Sequence, residues 1–320
     1  MRIKHLDVDG IRSLPDGRLS FATSTGAADT VAITGPLGSG KTTVLDAIVA
    51  AKESVGSYGS PPDPRPLIRR GLDAAKIRAT WELAESERAQ FGLGETALTS
   101  EMRIGGDIAG PPHEPALEAL LSTYEADSAH GKVEYFYDDR RLPIGAAVDL
   151  STSPGDSFDR MMRLGRDEQK YAGLVRYIVE SGLGMHVDEN GEPAPGGRVT
   201  NAFATLCESK RLAGLYHAGN SILPGFVDDA DRTYGLAELS SSERERLLFA
   251  ATWVRAGLVS NEPGSVVLID TPERSLGDEG AGDLVRGLSE LGPNNQLVIA
   301  TTSRSVAETC TVVVRLGGSA

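Results

Sequence analysis

The run Gly35-Pro36-Leu37-Gly38-Ser39-Gly40-Lys41-Thr42 limits what this chain can become more than any other segment, because of what flanks it. An apolar stretch, Val31-Ala32-Ile33, precedes it, and a helical pattern, Thr43-Val44-Leu45-Asp46-Ala47-Ile48, follows. Strand, glycine-rich turn and helix therefore fall where G-x-x-x-x-G-K-[ST] needs them. Glycines let the backbone close tightly round an anion, turning successive N–H groups and the start of the helix towards it. The run implies a nucleoside triphosphate site built from Gly35, Pro36, Leu37, Gly38, Ser39, Gly40, Lys41, Thr42 and Thr43. Lys41 is expected to reach the β- and γ-phosphates, and Thr42 to offer its hydroxyl to Mg²⁺.

A chain of 320 residues that is 40% hydrophobic can build a sizeable core, as one large α/β domain or as two lobes. Alternating patterns at Arg2–Val8 and Arg18–Phe21 predict a small antiparallel β layer ahead of the apolar strand. Ser57–Pro66 reads as an exposed loop, and strand patterns return at Ile77–Leu83 and Lys132–Tyr137. Between about Asp156 and Ala237 the spacing is mostly helical, broken by a loop at Asp188–Gly197. From Ser265 the pattern alternates again: strands at Val266–Ile269, Gln296–Ala300 and Thr311–Leu316, with a helix at Ala281–Leu291. The expected division is a nucleotide-binding α/β lobe over residues 1–150 and 260–320, with a mainly helical lobe inserted over 151–259. No heptad series persists, so no long coiled-coil arm is expected.

The net charge of −13 opposes nucleic-acid binding by the whole surface while leaving room for a local basic groove. Arg65 with Arg69 and Arg70, Arg140-Arg141, and Arg160, Arg163 and Arg166 are basic groupings, read as solvated faces or ion-pair networks. The N-terminus has no uninterrupted apolar core of a leader, and nothing approaches the roughly 20 apolar residues of a membrane span. A cytoplasmic protein without a membrane partner is expected. Cys207 and Cys310, with no C-x-x-C pair, read as two inert thiols.

Two further motifs complete the picture. The strand Val266–Ile269 ends in Asp270, a carboxylate placed to hold Mg²⁺ opposite Thr42. Upstream, Leu239-Ser240-Ser241-Ser242-Glu243 opens a helix whose apolar face includes Leu247, Leu248, Ala251 and Val254. Ser240 and Glu243 satisfy a capping box. The same residues resemble the signature of the ABC-type ATPases, where a serine-rich helix start faces the γ-phosphate held by a second subunit. The long separation from Lys41 and the segment Asp9-Gly10-Ile11-Arg12-Ser13-Leu14 are similar to the RecF, SMC and OLD-like group. That resemblance covers residues 1–50 and 235–316 and implies a P-loop core of ABC-ATPase type that binds ATP and Mg²⁺. It further implies that Arg12 lies near the phosphates and that Ser240, Ser241, Ser242 and Glu243 face a partner's nucleotide. A homodimer or higher homo-oligomer through an ATP sandwich, a separate effector protein and DNA are the implied partners.

Several positions depart from the family pattern. Thr271 stands where the family's water-polarising carboxylate follows the aspartate, Glu273 lies beyond Pro272, and Thr302 replaces the usual histidine. Ser242, Leu37 and Gly277 also differ, the last within a D-loop-like Ser275–Asp278. The turn Asp138-Asp139-Arg140-Arg141 is the candidate Q-loop region, without an assigned glutamine. Glu273, Thr271 and Thr302 are thus the candidate catalytic positions. Losing a positioned base costs about 10²–10⁴-fold in rate. The expectation is a nucleotide-gated clamp or switch with slow hydrolysis, serving DNA repair or defence against phage by resemblance. A transporter ATPase subunit and a non-hydrolysing, ATP-stabilised scaffold are the competing readings. A nuclease domain is not expected.

Overall fold

The computed structural model describes residues 1–59, 63–105, 113–124, 131–143, 160–166, 168–183, 197–218, 221–259 and 264–317. The loop expected at 188–196 and the lobe boundaries at 150/151 and near 260 lie outside the described residues.

Three sheets organise the described residues. β1 (Arg2–Asp9), β2 (Gly17–Ser20), β4 (Ala75–Glu82) and β5 (Ala97–Ile104) form an antiparallel layer in the order β2-β1-β4-β5. The alternation that predicts this layer is visible in its burial: Ile3, Leu6 and Val8 face inwards from β1, and Ala75, Ile77, Ala79 and Trp81 from β4. A parallel sheet of order β12-β3-β11-β10-β6 follows, from β3 (Thr30–Thr34), β6 (Val133–Phe136), β10 (Val266–Asp270), β11 (Gln296–Ala300) and β12 (Val312–Arg315). Every residue of β10 and β11 is buried, as strands covered on both faces must be. The helix after the glycine run, α1 (Lys41–Glu53), lies between the two layers and touches β4, β5, β10 and β11.

Short helix α2 (Glu85–Phe91) lies between β4 and β5, and α3 (Pro115–Ser122) lies between β5 and β6 of the parallel sheet. The inserted segment carries α4 (Leu174–Gly182), α5 (Gly197–Leu206) and α6 (Ser241–Arg255). It also carries strands that the expectation of a mainly helical lobe does not include. β7 (Arg211–Ala218), β8 (Ser221–Val227) and β9 (Thr233–Gly235) make a third, antiparallel sheet there. Gly214, Pro224 and Gly225 lie within these strands and read locally as breakers, and the register shifts between Leu212 and Gly214. Their pairing is supplied by neighbouring strands, which a local pattern does not show. α7 (Glu273–Leu291) lies between β10 and β11, and α8 (Arg304–Thr309) between β11 and β12. α7 is broken at Gly277, φ 71°, so the D-loop-like Ser275–Asp278 straddles a kink.

One side chain joins the two main sheets. Gln296, fully buried at the start of β11, accepts from the Ile3 amide (2.7 Å) and donates to the Ile3 and Ala28 carbonyls (2.9 Å each). The Ile3 groups lie beside the bulge in β1 between Ile3 and His5, and the Ala28 carbonyl lies just ahead of β3, so Gln296 satisfies buried backbone groups on both sheets. Gln296→Met, similar in size but unable to bond, is expected to lower unfolding free energy by about 2–4 kcal/mol. Chemical denaturation checks this, and a change under ~1 kcal/mol would mean that these groups find other partners.

Candidate nucleotide site

The register of the parallel sheet sets Ile33 beside Ala300 and Ala300 beside Asp270. The carboxyl ends of β3, β11 and β10 therefore share one edge, where open α/β sheets place their ligands. The loop between β3 and α1 depends on glycine at two points. A Cβ on Gly35 would lie 2.6 Å from the Leu316 carbonyl oxygen, and one on Gly40 would lie 2.7 Å from Leu14 and 2.8 Å from Ser13 Oγ. Gly40, at φ 96°, caps α1 without any side-chain bond. The first-turn amides of α1 thus lack helical acceptors, and no acidic residue occupies that turn. Lys41 Nζ donates to the carbonyls of Gly35 (2.8 Å) and Pro36 (2.9 Å), which holds the ammonium over the loop. Leu37 and Gly38 are exposed, and Ser39 Oγ is a buried hydroxyl with no partner among the described residues.

The structure brings Thr42 and Asp270 together. The Thr42 hydroxyl donates to Asp270 Oδ1 at 3.1 Å, and Thr271 Oγ1 donates to the same oxygen at 3.0 Å. Asp270 Oδ2 is buried and has no partner among the described residues. Mg²⁺ takes one or two protein oxygens and keeps water and phosphate for the rest, so this donor set fits it. Asp46, one helical turn after Thr42, is held by Arg166 Nη2 at 2.5 Å, which also donates to the Tyr135 hydroxyl at 2.9 Å. Burial raises both Asp46 and Asp270 above the ordinary carboxylate range, and the Asp270 charge raises Asp46 further.

The candidate catalytic positions separate into two places. Thr271 directly follows the sheet edge in a left-handed conformation, φ 49°, costly for a β-branched residue, and its amide donates to the Ala300 carbonyl at 2.8 Å. Glu273 instead turns to the end of β11. It accepts from Thr301 Oγ1 at 2.8 Å and from the Thr302 amide and hydroxyl at 2.7 Å each. Pro272 precedes it at the N-cap of α7 and fixes its approach. Glu273 and Thr302, singled out separately, form one hydrogen-bonded unit.

Ser240–Glu243 lie at the start of α6 and adopt the capping box. The Glu243 amide donates to Ser240 Oγ at 3.2 Å, and the Ser240 amide to Glu243 Oε2 at 2.7 Å. Ser240 and Ser241 are exposed. No hydrogen bond or ion pair among the described residues joins this segment to Gly35–Thr43. Arg12 is exposed, with Nε donating to the Pro66 carbonyl at 2.5 Å. The basic groupings largely hold carboxylates: Arg65 binds Asp63, Arg69 binds Asp16, Arg141 binds Asp139 and Arg163 binds Glu134. Cys207 and Cys310 are free, and burial pushes the Cys310 thiol up to about 12.

Arg140 is the residue that sequence reasoning missed. Its turn was recognised as a candidate region, but the side chain is buried under the site and donates to the carbonyls of Tyr137 (2.8 Å) and Asp270 (2.7 Å). Its ion-pair partner is Glu245 of α6. The available signal was Glu245 itself, spaced with Phe249 and Trp253 at i, i+4 and i+8 on an apolar helix stripe.

Asp46 and Asp270 hold protons to a higher pH in the folded chain than in the unfolded one. Both therefore cost stability at neutral pH, and that cost is relieved as pH falls through their folded values. Asp270→Asn is expected to raise the metal-free melting temperature by a few degrees at neutral pH and to flatten its rise on acidification. Calorimetry across the acid range decides, and a lower melting temperature would show the carboxylate to be net stabilising.

No protein-family model and no curated protein matches the chain. Among solved structures, an SMC head bound to the C-winged helix domain of ScpA matches with a TM-score of 0.60 and 14% identity, over 98% of this chain and 94% of that one. An Smc head domain with an extended coiled coil, bound to the C-terminal domain of ScpA and derived from Pyrococcus furiosus, gives 0.56 and 12%, over 98% and 93%. The SMC head domain from Thermotoga maritima gives 0.50 and 15%, over 98% and 94%. At such identities the likeness speaks for architecture: the chain has the mixed α/β fold of SMC heads, an ABC-type ATPase fold.

Proposed function

We propose that this chain is an ATP-binding head of ABC type that closes head-to-tail around two nucleotides and acts as a slow switch. The observation that carries the reading is the pairing of Thr42 with Asp270 beneath the glycine loop, with Asp270 Oδ2 and Ser39 Oγ left without partners. The loop amides and Lys41 hold the phosphates, Lys41 exchanging the Gly35 and Pro36 carbonyls for phosphate oxygens. Thr42 and Asp270 hold Mg²⁺, which when bound neutralises charge on the β- and γ-phosphates. Arg12 contributes a further cation beside the loop.

Ser240 and Ser241 at the start of α6, exposed and, among the described residues, without a hydrogen bond to the loop of their own chain, support completion of the site by a second copy. There the helix N-terminus and the hydroxyls of Ser240, Ser241 and Ser242, with Glu243 fixing the cap, would meet the partner's γ-phosphate. Slow hydrolysis follows from the remaining groups. Thr271 has no basic side chain, and the carboxylate of Glu273 already accepts three hydrogen bonds from Thr301 and Thr302. A water-activating role for Glu273 requires release from Thr302. The output is a separate effector protein or DNA, in repair or anti-phage defence, in the cytoplasm. Support for an effector comes from the solved SMC heads bound to ScpA domains. Among the described residues no helix is long and apolar enough to cross a membrane.

Purified protein with Mg-ATP is expected to bind saturably and to dimerise in light scattering, whereas ADP or Lys41→Ala leaves it monomeric. Ser240→Arg should keep binding and lose the dimer. Turnover is expected well below ~1 s⁻¹, and Thr271→Glu should raise it by about 10-fold or more. Fast turnover that survives Glu273→Gln would falsify the slow-switch reading, and identical assembly with ADP and ATP would favour a scaffold.

A further inference from the structure

One face of α6 packs towards the parallel sheet through Glu245, Phe249 and Trp253. Phe249 stacks on Phe136 of β6 with ring centroids 4.4 Å apart, and Trp253 lies 6.5 Å from the same ring. Glu245 is buried in this aromatic stripe, where an unpaired carboxylate would be strongly disfavoured. Its partner, Arg140, is also buried, and its guanidinium carbon lies 5.1 Å from the Phe249 ring centroid.

The same guanidinium reaches the sheet edge. Nη1 donates to the carbonyls of Tyr137 (2.8 Å) and Asp270 (2.7 Å), and Nη2 donates to Glu245 and to the Thr271 carbonyl (3.3 Å). These carbonyls belong to the residue whose carboxylate meets Thr42 and to the left-handed residue that follows it. A backbone conformation of that kind persists only where its surroundings over-determine it. A planar fork of donors can meet several acceptors on different elements at once, which an ammonium cannot do in the same geometry.

We propose that Arg140 is a positioning residue for the metal-holding carboxylate of Asp270, and that Glu245 keeps it there from the helix that carries Ser240–Glu243. The inference rests on the nucleotide reading above. It makes the metal corner and the start of α6 parts of one buried unit, so that Mg²⁺ at Asp270 is felt at the surface offered to a second copy.

Two variants separate positioning from packing. Arg140→Lys keeps a positive charge near Glu245 but loses the fork, and Arg140→Met with Glu245→Leu removes both charges without stranding either. ATP affinity is measured by calorimetry with Mg²⁺ and with EDTA, beside the melting temperature. Wild type is expected to bind more tightly with Mg²⁺. Both variants should stay folded and keep their metal-free affinity within ~2-fold, yet lose about 10-fold of the Mg²⁺ gain, the scale seen when groups behind a metal ligand are removed. A full Mg²⁺ gain in both overturns the proposal. Should neither fold, hydrogen exchange of wild type at monomeric concentration decides: extra protection of the first turn of α6 by ATP with Mg²⁺ over ATP with EDTA supports it, and equal protection overturns it. Wild type that binds no ATP at all would instead overturn the nucleotide reading.

Discussion

The structure depends on the register of its parallel sheet. Once Ile33, Ala300 and Asp270 are aligned, three chain segments far apart in sequence end at one edge. The backbone then continues the ladder past the strands: Thr301 donates to the Ile33 carbonyl at 3.0 Å and Thr271 to the Ala300 carbonyl at 2.8 Å. A one-residue slip would turn every side chain to the opposite face, burying the wrong set and taking Asp270 away from Thr42. Complete burial of β10 and β11 makes such a slip prohibitively unfavourable. The hydrophobic core thus fixes the polar geometry at its rim.

Charge inside this core is arranged in pairs. Lys170, fully buried, holds Glu134 at 2.6 Å, and Lys52 holds Glu53 at 2.5 Å. Burial pulls both lysines down, Lys52 to about 7, and the neighbouring carboxylates oppose that shift. Such pairs contribute little net stability, because desolvation offsets attraction, but breaking one leaves a charge stranded. Arg140 and Glu245 belong to this class, with the difference that their hydrogen bonds end on the backbone of the candidate site.

On the proposed reading, the candidate site would hold a nucleotide more readily than cleave it. Its loop, its lysine and its threonine–aspartate pair are assembled, and two buried oxygens stand without partners. The Glu273 carboxylate is engaged by Thr301 and Thr302, and the residue next to Asp270 is a threonine held in a strained conformation. The hydroxyls of Thr271 and Thr302 thus keep this edge polar without supplying a base.

The sequence by itself determined the elements whose cause is local. Glycines at 35 and 40 can adopt what the loop demands, apolar runs at 31–33, 266–269 and 296–300 can only be buried strands, and Ser240 with Glu243 caps its own helix. Tertiary structure decided whatever depends on partners distant in sequence. The sheet β7-β8-β9 was not legible because Gly214, Pro224 and Gly225 look like turns until a neighbouring strand pairs with them. Glu273 could not be placed until β11 ended beside α7 and offered it Thr301 and Thr302. Arg140 reads from sequence as part of a solvated face or an ion-pair network, and packing of α6 on β6 decides for the pair by bringing Glu245 over it and burying both. Local chemistry fixes what each segment can be; burial and hydrogen-bond satisfaction across the fold fix what each polar side chain must meet.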